Sequence, residues 1–432
     1  MHFHHGLLSP KAAACRFLCL LSAAKSEEAV PGSGGASLPL PTQEYFDEYG
    51  MLYDHVGMLQ DHQRMSAYHD AIRLNAEKHF RGKVILDVGA GTGVLSIWAA
   101  QAGAKQVYAV EATAVASHAE RMVEAHGFSN TITVLRGRME ELELPSKVDV
   151  ILSEWMGYFL LRESMVQSVL FARDKWLAPG GVMYPSSARL LVAALEDPSF
   201  HPARSAEIRR YVDDWEDLAE QVQSRYSLDL RALSASFVAE QHDYALRQAW
   251  QGLVPETAGV GEAQTLLEVD MHAVQNADLF GWERQIAISE ASEATPVHAL
   301  VGWFDVRFCA EDGKDRGDGA SAASDPTCVE LSTAPTDPPT HWAHTTVPLQ
   351  PPLTTPSLHV GLTQSKRSHH DLNLTLTYAD DSQPVRASFA ITAEFRGDRS
   401  TDEEFSQMPD EGEGFGEYDE GDADGNGDTA ED

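Results

Sequence analysis

Apolar residues follow one rhythm in the first half of this chain and another in the second. From residue 84 to about Trp176, short apolar runs at 84–88, 107–110, 132–135 and 148–152 fit buried strands. Residues 94–102, 112–126 and a stretch reaching Trp176 separate or follow them with helical spacing. Alternating strands and helices predict a parallel sheet. Upstream, Gln43 to about Ala76 also reads as helical, with apolar residues three and four apart. The rhythm changes near Tyr184-Pro185. A strand is predicted at 189–194 and a charged helical stretch from Pro198 to about Trp250. Beyond Leu266, short β-type runs recur at 285–288, 298–308, 358–362, 372–378 and 387–395, the pattern of a sandwich or barrel.

These patterns divide the chain into an N-terminal extension (1–41), an α/β domain (42–187), a β domain (188–396) and a tail (397–432). Within the β domain, about 199–250 reads as a helical arm. Residues 311–339, rich in Gly, Ala, Asp and Pro, read as a disordered loop. The extension reads as a weak signal or transit peptide around the apolar run 17–21, as a disordered extension, or as a wrongly assigned start.

Composition narrows the function. The 432 residues carry a formal net charge of −34, which disfavours a nucleic-acid backbone and favours basic partners. After Thr401 lie 14 acids and no Lys or Arg, so much of the excess belongs to a tail that reads as disordered. Within it, residues 422–427 imitate the start of a calcium loop, but position twelve would fall beyond Asp432. No apolar run reaches the roughly 20 residues of a membrane span. The four cysteines have no Cys-x-x-Cys spacing, which argues against a zinc module and a disulfide scaffold and suits a cytosolic or nuclear setting.

Two features carry candidate chemistry. The first is Gly89-Ala90-Gly91-Thr92-Gly93 between a strand and a helix, where glycines let a ligand approach the backbone. Glu111 ends the next strand, placed to bond ribose hydroxyls. The further glycine of a dinucleotide site is replaced by Val94, so a nucleoside such as S-adenosylmethionine fits better than a pyrophosphate. The second is Glu154 and Glu163, two acids flanking the aromatic and apolar run 155–162 just after a predicted strand. Two carboxylates in a greasy pocket suit a planar cation with several N–H donors, a guanidinium. The bland alternative is a pair of surface acids near a helix start.

With these residues the chain resembles the protein arginine N-methyltransferases. Ser153-Glu154-Trp155-Met156-Gly157-Tyr158, with Glu163 beyond, is similar to the family's double-glutamate loop. Tyr45-Phe46-x-x-Tyr49 resembles its N-terminal helix signature and residues 85–93 its cofactor loop. Met139-Glu140 resembles its adenine-site acid and Thr340-His341-Trp342 its late loop. The likeness covers about 42–396, and residues 159–165 look most like the protein arginine N-methyltransferase 10 subgroup.

The resemblance implies a Rossmann-like, S-adenosylmethionine-dependent methyltransferase domain followed by a β-barrel. The helical arm would dock on a second copy in a head-to-tail dimer. Arg64, with Asp87, Gly89, Gly91, Glu111, Met139, Glu140, Tyr49 and Met58, would surround the cofactor. Glu154 and Glu163 would clamp the substrate guanidinium beside Met165, Tyr158 and Trp342. His341 would close the site and pair with Asp61. No metal is implied, and the substrates would be basic proteins, histone-like or Gly-Arg-rich.

Arginine is a poor nucleophile at a pKa above about 12. Glu163 is expected to polarise the attacking nitrogen and Glu154 to orient it; His341 and Asp61 are candidates for a proton relay, and no single general base is assigned from sequence. Adaptable methionines at positions 58 and 165 would leave room for asymmetric dimethylarginine, a type I product. Two rivals differ in class: a methyltransferase acting on nucleic acid or a small molecule, and a non-catalytic scaffold. The acid clamp and net charge disfavour nucleic acid, and intact Glu154, Glu163, Arg64 and His341 disfavour a scaffold.

Overall fold

A computed structural model describes residues 49–247, 249–288, 296–309, 327–353, 358–380 and 383–391. The extension, the tail, Tyr45 and Phe46 lie outside the described residues.

Helices α1 (Leu52–Gln60) and α2 (His62–Leu74) lead into a short π-helical turn, Ala76–Phe80. The helical stretch expected across 43–76 therefore has a break. Asp61 leaves helical geometry at φ −70°, ψ 93° and its carboxylate accepts the Arg64 N–H at 2.9 Å. That side-chain cap starts a new helix where the apolar spacing alone gives no signal.

The α/β half follows: β1 (Val84–Val88), α3 (Val94–Gln101), β2 (Gln106–Glu111), α4 (Ala116–Ala125), β3 (Ile132–Arg136), β4 (Val148–Leu152), α5 (Val166–Trp176) and β5 (Leu177–Tyr184). The sheet is parallel throughout in the order β3-β2-β1-β4-β5. Strand order reverses between β1 and β4, so the carboxyl ends of β1, β2 and β4 open on one crevice, where such folds bind ligands. The expected strand runs are all present. The pattern missed β5, whose Ala-Pro-Gly-Gly reads as a turn. It is an edge strand, where proline is tolerated.

After the cis Tyr184–Pro185 peptide the chain becomes antiparallel. The second half begins with β6 (Ser187–Glu196) and a helical arm, α6 (Phe200–Tyr226) and α7 (Ser234–Arg247). Strands β7 (Trp250–Gly252), β8 (Gly259–Val260), β9 (Gln264–Asp270), β10 (Glu283–Ile288), β11 (Val297–Phe308) and β12 (Val329–Ser332) come next. The last are β13 (His344–Leu353), β14 (Leu358–Lys366), β15 (Leu372–Asp380) and β16 (Gln383–Ile391). They form one sheet on the path β7-β13-β11-β6-β8, with β12 and β9 paired onto it, and a second, β10-β14-β15-β16. Together they make a barrel-type domain. The arm is two helices, turned at Ser227 (φ 55°) and held by Trp215 stacked on Phe237 at 4.6 Å.

Two expectations need correction. The loop expected at 311–339 contains β12, whose Val329–Ser332 pairs with Asp305–Phe308 of β11. Cys309 and Cys328, without any telling spacing, are disulfide-bonded, because that pairing brings their Cα atoms to 4.3 Å. Residues 310–326 lie outside the described residues.

One apolar core runs through both halves. Tyr68 of α2 meets Phe308 of β11 at 4.7 Å, and Phe80 meets Tyr184 at 5.5 Å. This shared core fixes α2 against the barrel, and α2 carries Arg64 at its first turn.

Candidate active site

The crevice is a cavity of about 480 Å³. Of the residues singled out from sequence, Tyr49, Met58, Arg64, Gly89, Gly91, Glu111, Met139, Glu140, Glu154, Tyr158, Glu163, Met165, His341 and Trp342 all line it. Asp61 and Asp87 stand behind its wall, Asp61 against His341 and Asp87 at the base of the glycine loop.

The loop after β1 turns on Gly89 (φ 72°), Gly91 (φ 53°) and Gly93 (φ 84°). A side chain at Gly89 would also collide with the tip of Met165. Glu111, at the end of β2, accepts the Gly91 N–H at 2.8 Å and the Thr113 N–H at 2.7 Å. Its carboxylate thus fixes the loop while its remaining lone pairs face the cavity. Glu140 accepts a 2.6 Å hydrogen bond from Ser168 of α5. Asp87 is fully buried and accepts the Ser96 hydroxyl at 2.7 Å. Burial pushes its pKa up to about 7, against the hydrogen bond from Ser96.

The acid loop leaves β4 at Ser153. Ser153 donates to the Val88 carbonyl at 2.7 Å, and the buried Tyr68 hydroxyl donates to the Ser153 carbonyl at 2.9 Å. Glu154 Oε2 receives Arg64 Nε at 3.1 Å and Nη2 at 3.0 Å, and Oε1 receives the Met156 N–H at 3.1 Å. Arg64 is itself held by the Met58 carbonyl at 3.0 Å. Glu163 is held at both oxygens, Oε1 by Arg162 at 2.8 Å and Oε2 by the Tyr49 hydroxyl at 2.8 Å. Each glutamate therefore has one arginine partner and is fixed in the folded chain before any ligand is considered.

The barrel closes the wall. Asp61 Oδ2 accepts both the backbone N–H of His341 at 2.9 Å and its ring Nδ1 at 2.7 Å. Burial alone would raise the Asp61 pKa, but the hydrogen bonds from His341 and Arg64 hold it below the usual carboxylate value. Trp342 donates Nε1 to the Met156 carbonyl at 2.9 Å, tying the barrel to the acid loop.

Several cavity residues escaped the sequence reading: His55, Thr113, Arg138, Ser168 and His369. His55 is the buried residue of α1 and its Nε2 lies 3.2 Å from the Tyr49 carbonyl. Its place on the inner face of a helix with Met58 was the available signal. His369 arrives from the turn between β14 and β15, more than 200 residues away in sequence, and no local pattern announces it.

Residues 85–181 match a methyltransferase-domain family, and residues 187–383 match the arginine methyltransferase oligomerization subdomain. The chain is 40% identical over 366 residues to protein arginine N-methyltransferase PRMT10 of Oryza sativa subsp. japonica, covering 82% of this chain and 93% of that protein. PRMT10 of Arabidopsis thaliana is 37% identical over 80% of this chain and 90% of its own length. The crystal structure of Arabidopsis thaliana protein arginine methyltransferase 10, described as a uniquely open conformation, superposes with a TM-score of 0.69 at 35% identity. That match covers 81% of this chain and 100% of that one. A Trypanosoma brucei PRMT1 enzyme–prozyme heterotetramer with AdoHcy gives 0.65 at 30% identity, covering 80% and 100%. With this identity, coverage and fold, the chain belongs to the protein arginine N-methyltransferase family.

Proposed function

We propose that this chain transfers a methyl group from S-adenosylmethionine to guanidino nitrogens of arginine in basic proteins, giving monomethyl and then asymmetric dimethylarginine. The observation that carries the reading is the pair of fixed carboxylates, Glu154 and Glu163, on one cavity with the glycine loop.

The residues present fit the donor. Gly89 and Gly91 offer bare backbone to a methionine portion, Glu111 keeps free lone pairs for ribose and Glu140 for the adenine amine. Asp87, fully buried behind the cavity wall, accepts the Ser96 hydroxyl and so ties the end of β1 to α3 beneath the loop. Arg64 is the cation for a ligand carboxylate. When bound, S-adenosylmethionine supplies an electrophilic methyl on sulfur.

The chain's own residues would do the rest. Glu154 Oε1 accepts a single N–H and keeps lone-pair capacity, and Glu163 lines the same cavity, so a substrate guanidinium can bond both glutamates at once. Glu163 draws positive charge from the attacking nitrogen, and Glu154, held by two bonds from Arg64, orients the plane. The released proton is taken through His341, whose ring is fixed by Asp61. Met58 and Met165 bound the space for the methylated nitrogen. The relatives' names and the net charge of −34 support an arginine in a basic protein, histone-like or Gly-Arg-rich. A cytosolic or nuclear setting goes with those substrates.

A homodimer is part of the same reading. Among the described residues, nine of the ten exposed large hydrophobics fall in two patches. Met51, Leu52, Tyr53, Val56 and Leu59 surround α1, while Leu218, Tyr226, Leu228 and Leu233 lie on the arm. Exposed apolar patches mark interaction sites, and the arm of one copy on α1 of another would cover both. The inner face of α1 carries His55 and Met58 into the cavity, so docking there would also steady the site.

Labelled S-adenosylmethionine offered with a histone or a Gly-Arg-rich peptide tests the reading. No label in protein refutes it. Equal label from Glu163→Gln refutes the role of Glu163. Fragment mass spectrometry reads the product, and symmetric or solely monomethyl arginine refutes type I. For the dimer, Leu228→Asp with Leu233→Asp should give a monomer by light scattering; an unchanged mass refutes arm docking.

A further inference from the structure

Glu163 and Ser164 hold left-handed backbone, φ 78° and 62°, without being glycine. What holds them comes from the opposite end of the chain, in the turn between β14 and β15. The Glu163 N–H donates to the His370 carbonyl at 2.7 Å, and His370 Nδ1 donates back to the Glu163 carbonyl at 3.1 Å. Both backbone groups of Glu163 are thus taken by one residue. The Ser164 hydroxyl donates to the His369 carbonyl at 2.7 Å. Asp371 lies 3.6 Å from Arg162 Nε, and Arg162 in turn donates to Glu163 Oε1.

The turn is itself braced. Ser368 Oγ accepts the N–H groups of His370 at 3.2 Å and Asp371 at 3.0 Å. Lys366 Nζ donates to the His369 carbonyl and to Gln167 of α5, each at 3.2 Å, and rests over the Phe280 ring at 4.4 Å.

We propose that the Arg367–Asp371 turn aims Glu163 at the substrate and that His370 is a positioning residue for methyl transfer. The proposal rests on the reading of Glu163 as the substrate clamp. His370 does not line the cavity, so it acts through Glu163. It holds the backbone from which the carboxylate projects, while Asp371 steadies Arg162 on the carboxylate itself. Any residue at position 370 offers a carbonyl; only a side-chain donor can supply the second bond.

The test uses the full chain. His370→Phe keeps a ring and removes the donor, and His370→Asn returns a donor close to the ring Nδ1 position. With an arginine peptide, kcat of His370→Phe should fall about tenfold, the worth of one aligning hydrogen bond. Affinity for S-adenosylhomocysteine should stay within about twofold, and His370→Asn should regain most of the loss. Unchanged kcat in His370→Phe overturns the proposal. So does an equal fall in cofactor affinity, which would signal a general defect, or an Asn variant no better than Phe. Should His370→Phe not fold, Asp371→Asn at the half-exposed end of the turn decides. A kcat loss of about threefold with cofactor affinity intact supports the turn's role, and no loss refutes it. If the wild type does not methylate arginine, the reading of the site falls first and the proposal with it.

Discussion

The glycine loop and the acid loop line one cavity and both bend the chain into left-handed backbone, by opposite means. Between β1 and α3 the bend falls on Gly89, Gly91 and Gly93, where it carries no steric penalty. In the acid loop it falls on Phe159, Leu160, Glu163 and Ser164, where each residue costs about 1–2 kcal/mol. That cost is offset from far away. Phe159 packs against bare Gly302 of β11, where an added Cβ would come within 2.5 Å of its ring. Trp342 holds the Met156 carbonyl, and His370 holds Glu163. The first loop is made by its own sequence. The second is made by the fold around it, and strain persists only where the surroundings over-determine it.

Substitution of the acids should separate the two loops most sharply. Glu163→Gln is expected to lower kcat by about 10²–10³-fold, the scale of losing one charge-stabilising group, with cofactor affinity nearly unchanged. Glu154→Gln should lower kcat as well. Both variants should also lower Tm, because Glu154→Gln leaves Arg64, only 12% exposed, without its counter-charge and Glu163→Gln leaves Arg162, only 6% exposed, with Asp371 alone at 3.6 Å. Cofactor affinity separates them, because Glu154 holds Arg64, the cation proposed for the ligand carboxylate. Methyl-transfer kinetics and cofactor titrations on both variants check this, and equal cofactor affinity in both would erase the distinction between orienter and activator.

Gly89→Ala probes the other loop. An alanine at φ 72° costs about 1–2 kcal/mol, and its Cβ collides with Met165. Cofactor affinity should weaken about tenfold or more, measured by calorimetry, with the fold intact. A loss in kcat at saturating cofactor would mean that the glycine loop also sets the acid clamp.

The same contrast decides what was legible in the sequence. Strands such as Val84–Val88 and Val148–Leu152 read clearly because parallel strands are buried on both faces and their apolar runs are continuous. The glycine turn and the two acids were legible because residue type alone limits what they can do. β13 was not, since its Thr-Thr-Val-Pro-Leu-Gln-Pro-Pro reads as a loop until β11 and β7 flank it. The break at Asp61, the Cys309–Cys328 bridge and His369 and His370 were invisible for one reason: each depends on a partner distant in sequence or on a cap that periodicity does not register.

Two buried aspartates should respond to pH in opposite directions. Asp87, under the glycine loop, has its folded pKa raised to about 7 from a usual 3.8. Its contribution is fully present below about pH 4 and lost as pH rises through about 7. Asp87→Asn should therefore raise Tm by a few degrees at pH 8, by less at pH 5, and least below about pH 4. Asp61, which ties α2 to His341, has its folded pKa lowered. Its contribution is present above the usual carboxylate pKa and lost as pH falls through the lowered one. Asp61→Asn should lower Tm at pH 7, with the deficit shrinking toward acid. Melts of the cofactor-free chain from about pH 2 to about pH 8 check both, Asp61 below about pH 4 and Asp87 between about pH 4 and 7; parallel slopes for the two variants would contradict the assignment.

The smallest expected effect tests whether strain in the acid loop's frame is a real cost. Ala343 follows the His341-Trp342 pair at φ 47°, left-handed backbone on a residue with a Cβ. Its N–H donates to the Thr340 carbonyl at 3.0 Å, so the bend is part of a hydrogen-bonded turn that glycine can keep. Ala343→Gly should recover about 1–2 kcal/mol of left-handed strain and give back about 0.5–1 kcal/mol through a more flexible unfolded chain. The balance is a stabilisation of about 0.5–1 kcal/mol, visible as a small rise in the denaturant midpoint with an unchanged slope. The same substitution at Ala90, inside the glycine loop but without positive φ, has no strain to release and should only destabilise. A lower midpoint for Ala343→Gly would mean that the turn is held rigid by its neighbours at no cost. The acid loop would then differ from the glycine loop in residue type and not in stored strain.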